Sequence, residues 1–334
     1  MNIIKMMFVA VVLVAIVACA DAVERSAYPC HRLAQVPVID GKMDDEAWKN
    51  IPESAGFYIL ILKKESAEKY AFEKQTYFKA GWTEGAIYLL IRAEESAPEK
   101  MIAKAKDNGN VFEDDSIELF LFPLGAPTYT HLAVNSVGSR FAKRGSEDIN
   151  LLDWEAKTVV GKTEWMLELR IPFAVLAGKA PKEWDEWPAN MARNILTGPA
   201  ENRYTSWSLL KTGFHDLPNF GRFTFKGIAG DKVIAEEKEI NRAYVQGMHG
   251  ELKKLAGMAE KYEQALGEAQ KSDDQRVAAE AGDLLQTWKQ VVKLAGQSDL
   301  DLRELATAYR ACGNLCPKSD DCIARGMLEM LLKE

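Results

Sequence analysis

The sequence holds few of the residues and runs on which catalysis and membrane insertion usually depend. It has four histidines, His31, His131, His215 and His249, and no two of them have the spacing of paired metal ligands. No H-E-x-x-H pair, glycine-rich phosphate loop or G-x-S-x-G elbow occurs, so these signatures give no support to metalloprotease, nucleotide or hydrolase chemistry. Positive charge is not in excess: 42 lysines and arginines stand against 49 aspartates and glutamates, a net charge of −7. A protein that neutralises phosphates needs a basic footprint, so nucleic acid is not an expected partner. Cysteine is also sparse, with five residues in 334.

The apolar run Phe8–Ala18 follows Lys5 and falls short of the roughly 20 residues that a spanning helix needs. It reads instead as the h-region of an export signal. Ala20-Asp21-Ala22 is a cleavage site that makes residues 1–22 the signal peptide. Ile16-Val17-Ala18-Cys19 resembles a lipobox, which would cut before Cys19 and lipidate it. That lipid would be the sole membrane attachment. Either route predicts an exported protein, periplasmic, in the cell envelope or extracellular. Cys30, Cys312, Cys316 and Cys322 then remain, an even number in an oxidising compartment, which predicts two disulfides with three possible connectivities. The competing readings are reduced, buried thiols, or zinc held by Cys312, Cys316, Cys322 and one further ligand.

The rest of the chain has globular composition, 47% hydrophobic and 27% charged. Short runs of alternating apolar residues recur up to about residue 227, separated by turn residues such as Gly125-Ala126-Pro127 and Gly198-Pro199. They predict strands at 57–62, 75–82, 87–93, 128–135, 140–143, 154–160, 165–171, 192–196, 204–209 and 221–225. Another is predicted at Val36–Ile39, before a turn and a helical turn capped by Asp44 and anchored by Trp48. Strands at this spacing, with few helical signals, predict an antiparallel β-sandwich over residues 30–227. Beyond residue 230 the period changes. Ile240, Tyr244, Met248, Leu252, Leu255, Met258, Tyr262 and Leu266 recur every three or four residues. Three further helical runs follow, so residues 231–334 predict a small α-helical bundle.

The stretch Gly109–Phe122 is an acidic loop running into a strand. Glu118 faces opposite to Ile117 and Leu119 by strand alternation. The cluster of Glu113, Asp114, Asp115 and Glu118 admits three readings: paired catalytic carboxylates, calcium ligands, or a solvated loop with one sugar-binding acid. Phe112 in this loop and Phe214 in Thr212–Asp216 lie among polar turn residues. Exposed rings there suit the C–H face of a pyranose.

An ordered set of segments carries a resemblance. It comprises Ile39-Asp40-Gly41 with Asp44, Asp45 and Trp48; Phe112–Phe120; Leu132–Asn135; Trp165–Phe173; Asn190–Arg193; Thr205–Ser208; and Phe214-His215-Asp216 leading to Phe220-Gly221. Together these resemble the family 9 carbohydrate-binding module. The resemblance implies a β-sandwich that clamps a sugar between two rings and contains structural calcium. It places the rings at Phe112 and Phe214 and the hydroxyl-binding carboxylate at Glu118. An arginine and an amide of the family fall on Ala133 and Ala192, with Asn135 and Arg193 standing nearby as substitutes. The expected function is a non-catalytic carbohydrate-binding protein, accessory to polysaccharide breakdown by other proteins. Two alternatives stand beside it. One is a haem-binding sandwich with axial ligands among Met191, His131 and His215. The other is an assembly protein acting through its helical tail on a protein partner.

Overall fold

The computed structural model describes residues 25–331, except 55, 61–73, 178, 199–202, 231, 299, 301 and 313–314. The export signal, both cleavage sites and Cys19 lie outside the described residues. The strands are β1 (Ala27–Arg32), β2 (Tyr58–Ile59), β3 (Thr76–Trp82), β4 (Ala86–Glu94), β5 (Ser116–Leu121), β6 (Thr130–Asn135), β7 (Arg140–Arg144), β8 (Glu147–Asp148), β9 (Glu155–Val160), β10 (Glu164–Pro172), β11 (Glu186–Asn194), β12 (Tyr204–Ser206) and β13 (Gly221–Ile228). They pair in the order β8-β7-β6-β5-β11-β13-β1-β3-β4-β10-β9, and β12 joins β11 to β2.

This sheet curls on itself. Ile117 and Leu119 of β5 and Met191 of β11 share one buried cluster with Leu89 and Ile91 of β4 and Leu167 of β10. The two halves of the sheet therefore form the two layers of a sandwich around a common core. The pairings are antiparallel except at β1, which runs parallel to both β13 and β3. The chain from 33 to 75 separates β1 from β3, long enough for the crossover that parallel pairing requires.

Two local expectations at the N-terminal end are corrected. Val36–Ile39 is not a strand: Pro37 cannot donate to a ladder, and Val36 and Val38 are exposed. The strand lies at β1 instead, where Tyr28 and Cys30 are fully buried. The helical turn is Glu46–Trp48, with Asp45 rather than Asp44 at its N-cap position. The Asp45 carboxylate accepts the Val38 N–H at 2.7 Å. Trp48 is anchored as predicted, its indole N–H donating to Glu168 Oε1 at 2.9 Å.

Five helices follow: α1 (Val233–Ala256), α2 (Ala259–Ala269), α3 (Gln275–Ala295), α4 (Leu302–Cys312) and α5 (Leu315–Leu331). The apolar run from Ile240 to Leu266 is divided between α1 and α2 at Gly257 and Met258, where glycine's poor helix propensity ends the first helix. The apolar stripes face inward. Met248, Leu252, Leu266, Ala281 and Trp288 are buried together, and Tyr262 stacks on Trp288 at 4.8 Å. Among the described residues, no helix is long and apolar enough to cross a membrane.

α1 fastens the bundle to the sandwich. Tyr244 Oη donates to the Phe57 carbonyl at 2.7 Å and accepts from Gln75 Nε2 at 3.0 Å. Its ring covers Gly56, where a Cβ would sit 2.6 Å from ring carbons and where φ is +93°. Both the space and the backbone conformation demand glycine there. Gly56→Ala is expected to lower the unfolding free energy by about 2 kcal/mol or more. Urea denaturation reads this directly, and an unchanged midpoint would show that the helix does not press on this turn.

The expected disulfides are not formed. Cys30, Cys312, Cys316 and Cys322 are all free thiols. The reason is spatial: Cys30 is enclosed in the sandwich core, whereas Cys322 lies in the separate core of the bundle with its thiol toward the Val277 carbonyl. Burial, with the neighbouring Cys316, pushes the Cys312 thiol up to about 11. The zinc reading finds no ligand set either. Among the described residues, no three His, Cys, Asp or Glu side chains converge to hold a metal.

Candidate functional site

The site grows from the outer face of β5. Ile117, Leu119 and Leu121 point into the core, which puts Ser116, Glu118 and Phe120 on the other face. Glu118 lies between Ala133 of β6 and Ala192 of β11. These small neighbours leave room for the longer side chains diagonal to them. His131 Nε2 lies 2.7 Å from Glu118 Oε2, and Asn194 Nδ2 donates to Glu118 Oε1 at 2.7 Å and to Ser116 Oγ at 3.1 Å. The carboxylate that looked odd in an apolar strand is thus paired on both oxygens, at 4% exposure.

Above it opens a groove of about 910 Å³. Phe112, Glu118 and Phe214 all line it. Phe112 meets Phe141 edge-on with centroids 5.3 Å apart, and Phe214 meets Tyr204 edge-on at 6.0 Å. His131 lies flat on Phe120, at 4.5 Å and 9°. His215 stands edge-on to His131 at 5.3 Å, and its Nδ1 is 2.7 Å from Tyr129 Oη. Burial, reinforced by the nearby His131 and opposed by Glu118, lowers the His215 pKa, so this imidazole is neutral at pH 7. Lys143 and Arg203 supply cationic groups to the rim.

The other two predicted site residues are elsewhere. Asn135 is on the same face as Glu118, but it is fully buried. Its amide donates to Asp114 Oδ2 at 2.9 Å and accepts the Ser139 N–H at 2.8 Å, which braces the β6–β7 turn. Arg193 points to the opposite side of β11, into the interior, at 1% exposure. Its Nη2 donates to the Glu94 carbonyl at 2.7 Å and lies 3.4 Å from Glu95 Oε2. Burial lowers its pKa to about 10 against the pull of Glu95, Asp115 and Glu94. Neither residue reaches the groove, so neither stands in there for the family's arginine and amide, whose positions are taken by Ala133 and Ala192.

The acidic loop is correspondingly revised. Glu113 is exposed at the groove, but Asp114 and Asp115 are buried. Asp114 accepts the N–H groups of Lys104 and Ala105, and Asp115 accepts those of Ile102 and Leu196. These bonds tie two chain segments to the start of β5. With its acidic groups turned to backbone donors, to His131 and to Asn194, the loop does not fit a calcium ion, which needs several oxygens on one centre. Nor do the haem candidates fit. Met191 is in the core on the far side of the sheet from His131, and the His131 and His215 rings touch each other, leaving no space for a macrocycle.

Phe141, Lys143, Asn194, Arg203 and Tyr204 join the groove without having been read as binding residues, and His131 joins it although it was read only as a haem ligand. One signal was present for His131: it shares its strand phase with Ala133 and Asn135, positions already associated with the Glu118 face.

A scan against protein-family models gives no match, and no curated protein matches. Solved structures do. A family 9 carbohydrate-binding module from Caldicellulosiruptor kristjanssonii in complex with cellotriose is 18% identical, covering 62% of this chain and 96% of its own, with a TM-score of 0.44. The same kind of module from that organism with glucose is 20% identical, covering 61% and 97%, at 0.42. A candidate carbohydrate-binding protein from Bacteroides uniformis is 16% identical, covering 61% and 100%, at 0.49. The chain is therefore similar to carbohydrate-binding modules over somewhat more than half its length, the family that its sequence resembles.

Proposed function

We propose that the protein is a non-catalytic carbohydrate-binding protein whose ligand lies in the groove bounded by Phe112 and Phe214. One observation carries this reading. Two half-buried rings, from loops far apart in the chain, line one open groove over a hydrogen-bonded polar floor. A pyranose has the matching surface, with apolar C–H faces for the rings and a rim of hydroxyls for the floor. Glu118 acts by holding His131 and Asn194 in place. With Nε2 toward Glu118, His131 offers Nδ1 to a hydroxyl, and Asn194 offers its Oδ1. The proposal extends to location and role. The first 22 residues direct export, and binding to polysaccharide assists its breakdown by other proteins.

An array of cello-, xylo- and manno-oligosaccharides, probed with the purified protein, tests the reading. Binding to at least one series is expected, with loss in the Phe112→Ala variant. Silence on all three series, or binding untouched by the substitution, would overturn it.

A further inference from the structure

The groove has a neighbour at the Phe112 side. A second cleft, of about 830 Å³, shares Phe112, Phe141 and Lys143 with it. The edge-on pair of Phe112 and Phe141 therefore forms a ridge with an open cleft on either side. Each cleft is near the upper end of what one small ligand fills, so the two together exceed a site for a single sugar. The second cleft is mixed in character, with amides and carboxylates beside Ile149, Leu151 and Leu152. Asn108 stands there in the left-handed region at φ 61°, and its side-chain amide has no partner among the described residues. Leu152 also lines it and is 85% exposed.

We infer that the ligand is an internal stretch of a linear glycan, which crosses the Phe112–Phe141 ridge from the groove into the second cleft. This rests on the carbohydrate reading of the groove. A receptor for a chain end needs one cleft, and here a second cleft begins at the ridge that borders the first. The ridge supplies aromatic surface to sugars on both sides of it. Asn108 and Leu152 then meet units that a short ligand in the groove does not reach.

Titration calorimetry with a disaccharide and a hexasaccharide from each of the three array series tests the inference. The hexasaccharide is expected to bind at least tenfold more tightly, and reduction of its terminal unit to the alditol is expected to change nothing. In Asn108→Gly/Leu152→Ser, about tenfold of that gain is lost while disaccharide affinity stays as in the parent. Glycine suits the backbone at 108 and Leu152 is exposed, so the variant keeps the fold; the single Leu152→Ser variant, expected to lose part of the gain, serves as a second check. Equal affinity for short and long sugars, or a gain that survives the double substitution, overturns the inference and leaves the groove reading standing. Absence of binding by every sugar removes the groove reading and the inference with it.

Discussion

Replacing Phe214 by alanine is expected to abolish detectable oligosaccharide binding. The ring is half-buried in the groove wall and packs edge-on against Tyr204. A ligand stacked on it desolvates the remaining face. Truncating an aromatic anchor of this kind costs about 2–3 kcal/mol, a loss of about 30- to 150-fold. Stability is affected much less, because the face presented to ligand contributes little to the folded core. The thermal midpoint should fall by less than about 4 °C. Calorimetric titration and a melt of the same sample separate the two effects. Unaltered affinity would show that the ligand does not touch this ring, and loss of the cooperative melt would show that Phe214 is a core residue.

The second large effect is expected at Arg193, and it runs the other way. Arg193→Met should destabilise the fold by about 3–5 kcal/mol, because it removes one partner of a buried charge network and leaves the other. Glu95 is the group left behind. Burial pushes its carboxyl up, but bonds from Lys74 Nζ, the Ala97 N–H and Thr197 Oγ1 outweigh that and lower its pKa. Lys74 holds one carboxylate oxygen at 2.6 Å, while Arg193 and Thr197 approach the other. A lowered folded pKa gives stability that is complete above the unfolded value and lost as pH falls through the folded one. Weakening the network should therefore flatten the acid limb of the stability curve. The variant protein that remains folded should bind sugar as the parent does, since Arg193 is on the far side of β11 from the groove. A loss of binding without loss of stability would return this residue to the site.

Much of the architecture is legible in local sequence. Strand alternation up to residue 227 and helical periodicity after it correspond to a sheet ending at Ile228 and a helix starting at Val233. The outward phase of Glu118 follows from the apolar residues on either side of it. Phe112 and Phe214 stand out because large rings are unusual among glycines and carboxylates. The failures also have a common origin. β11 is buried along nearly its whole length on both faces. Without a wet face, alternation no longer distinguishes the core side from the groove side, so Arg193 looks as suitable as Asn194. Asn135 and the acidic pair at 114–115 are directed inward by segments remote in the chain, Ala105 and Ile102 on one side and Leu196 on the other.

Sequence alone thus determined the two kinds of structure and the polar loops that carry Phe112 and Phe214, because each depends on residues a few positions apart. Only tertiary structure decided which polar groups line the groove. Curling of the sheet sets which face of β11 meets the groove, and strand register brings His131 and Asn194 rather than Asn135 and Arg193 to Glu118. It also keeps Cys30 and Cys322 in separate cores, where an even number of thiols does not amount to a disulfide. Register and curvature arise from contacts between distant segments, and a slip of one residue in register would turn a groove-facing side chain into the core.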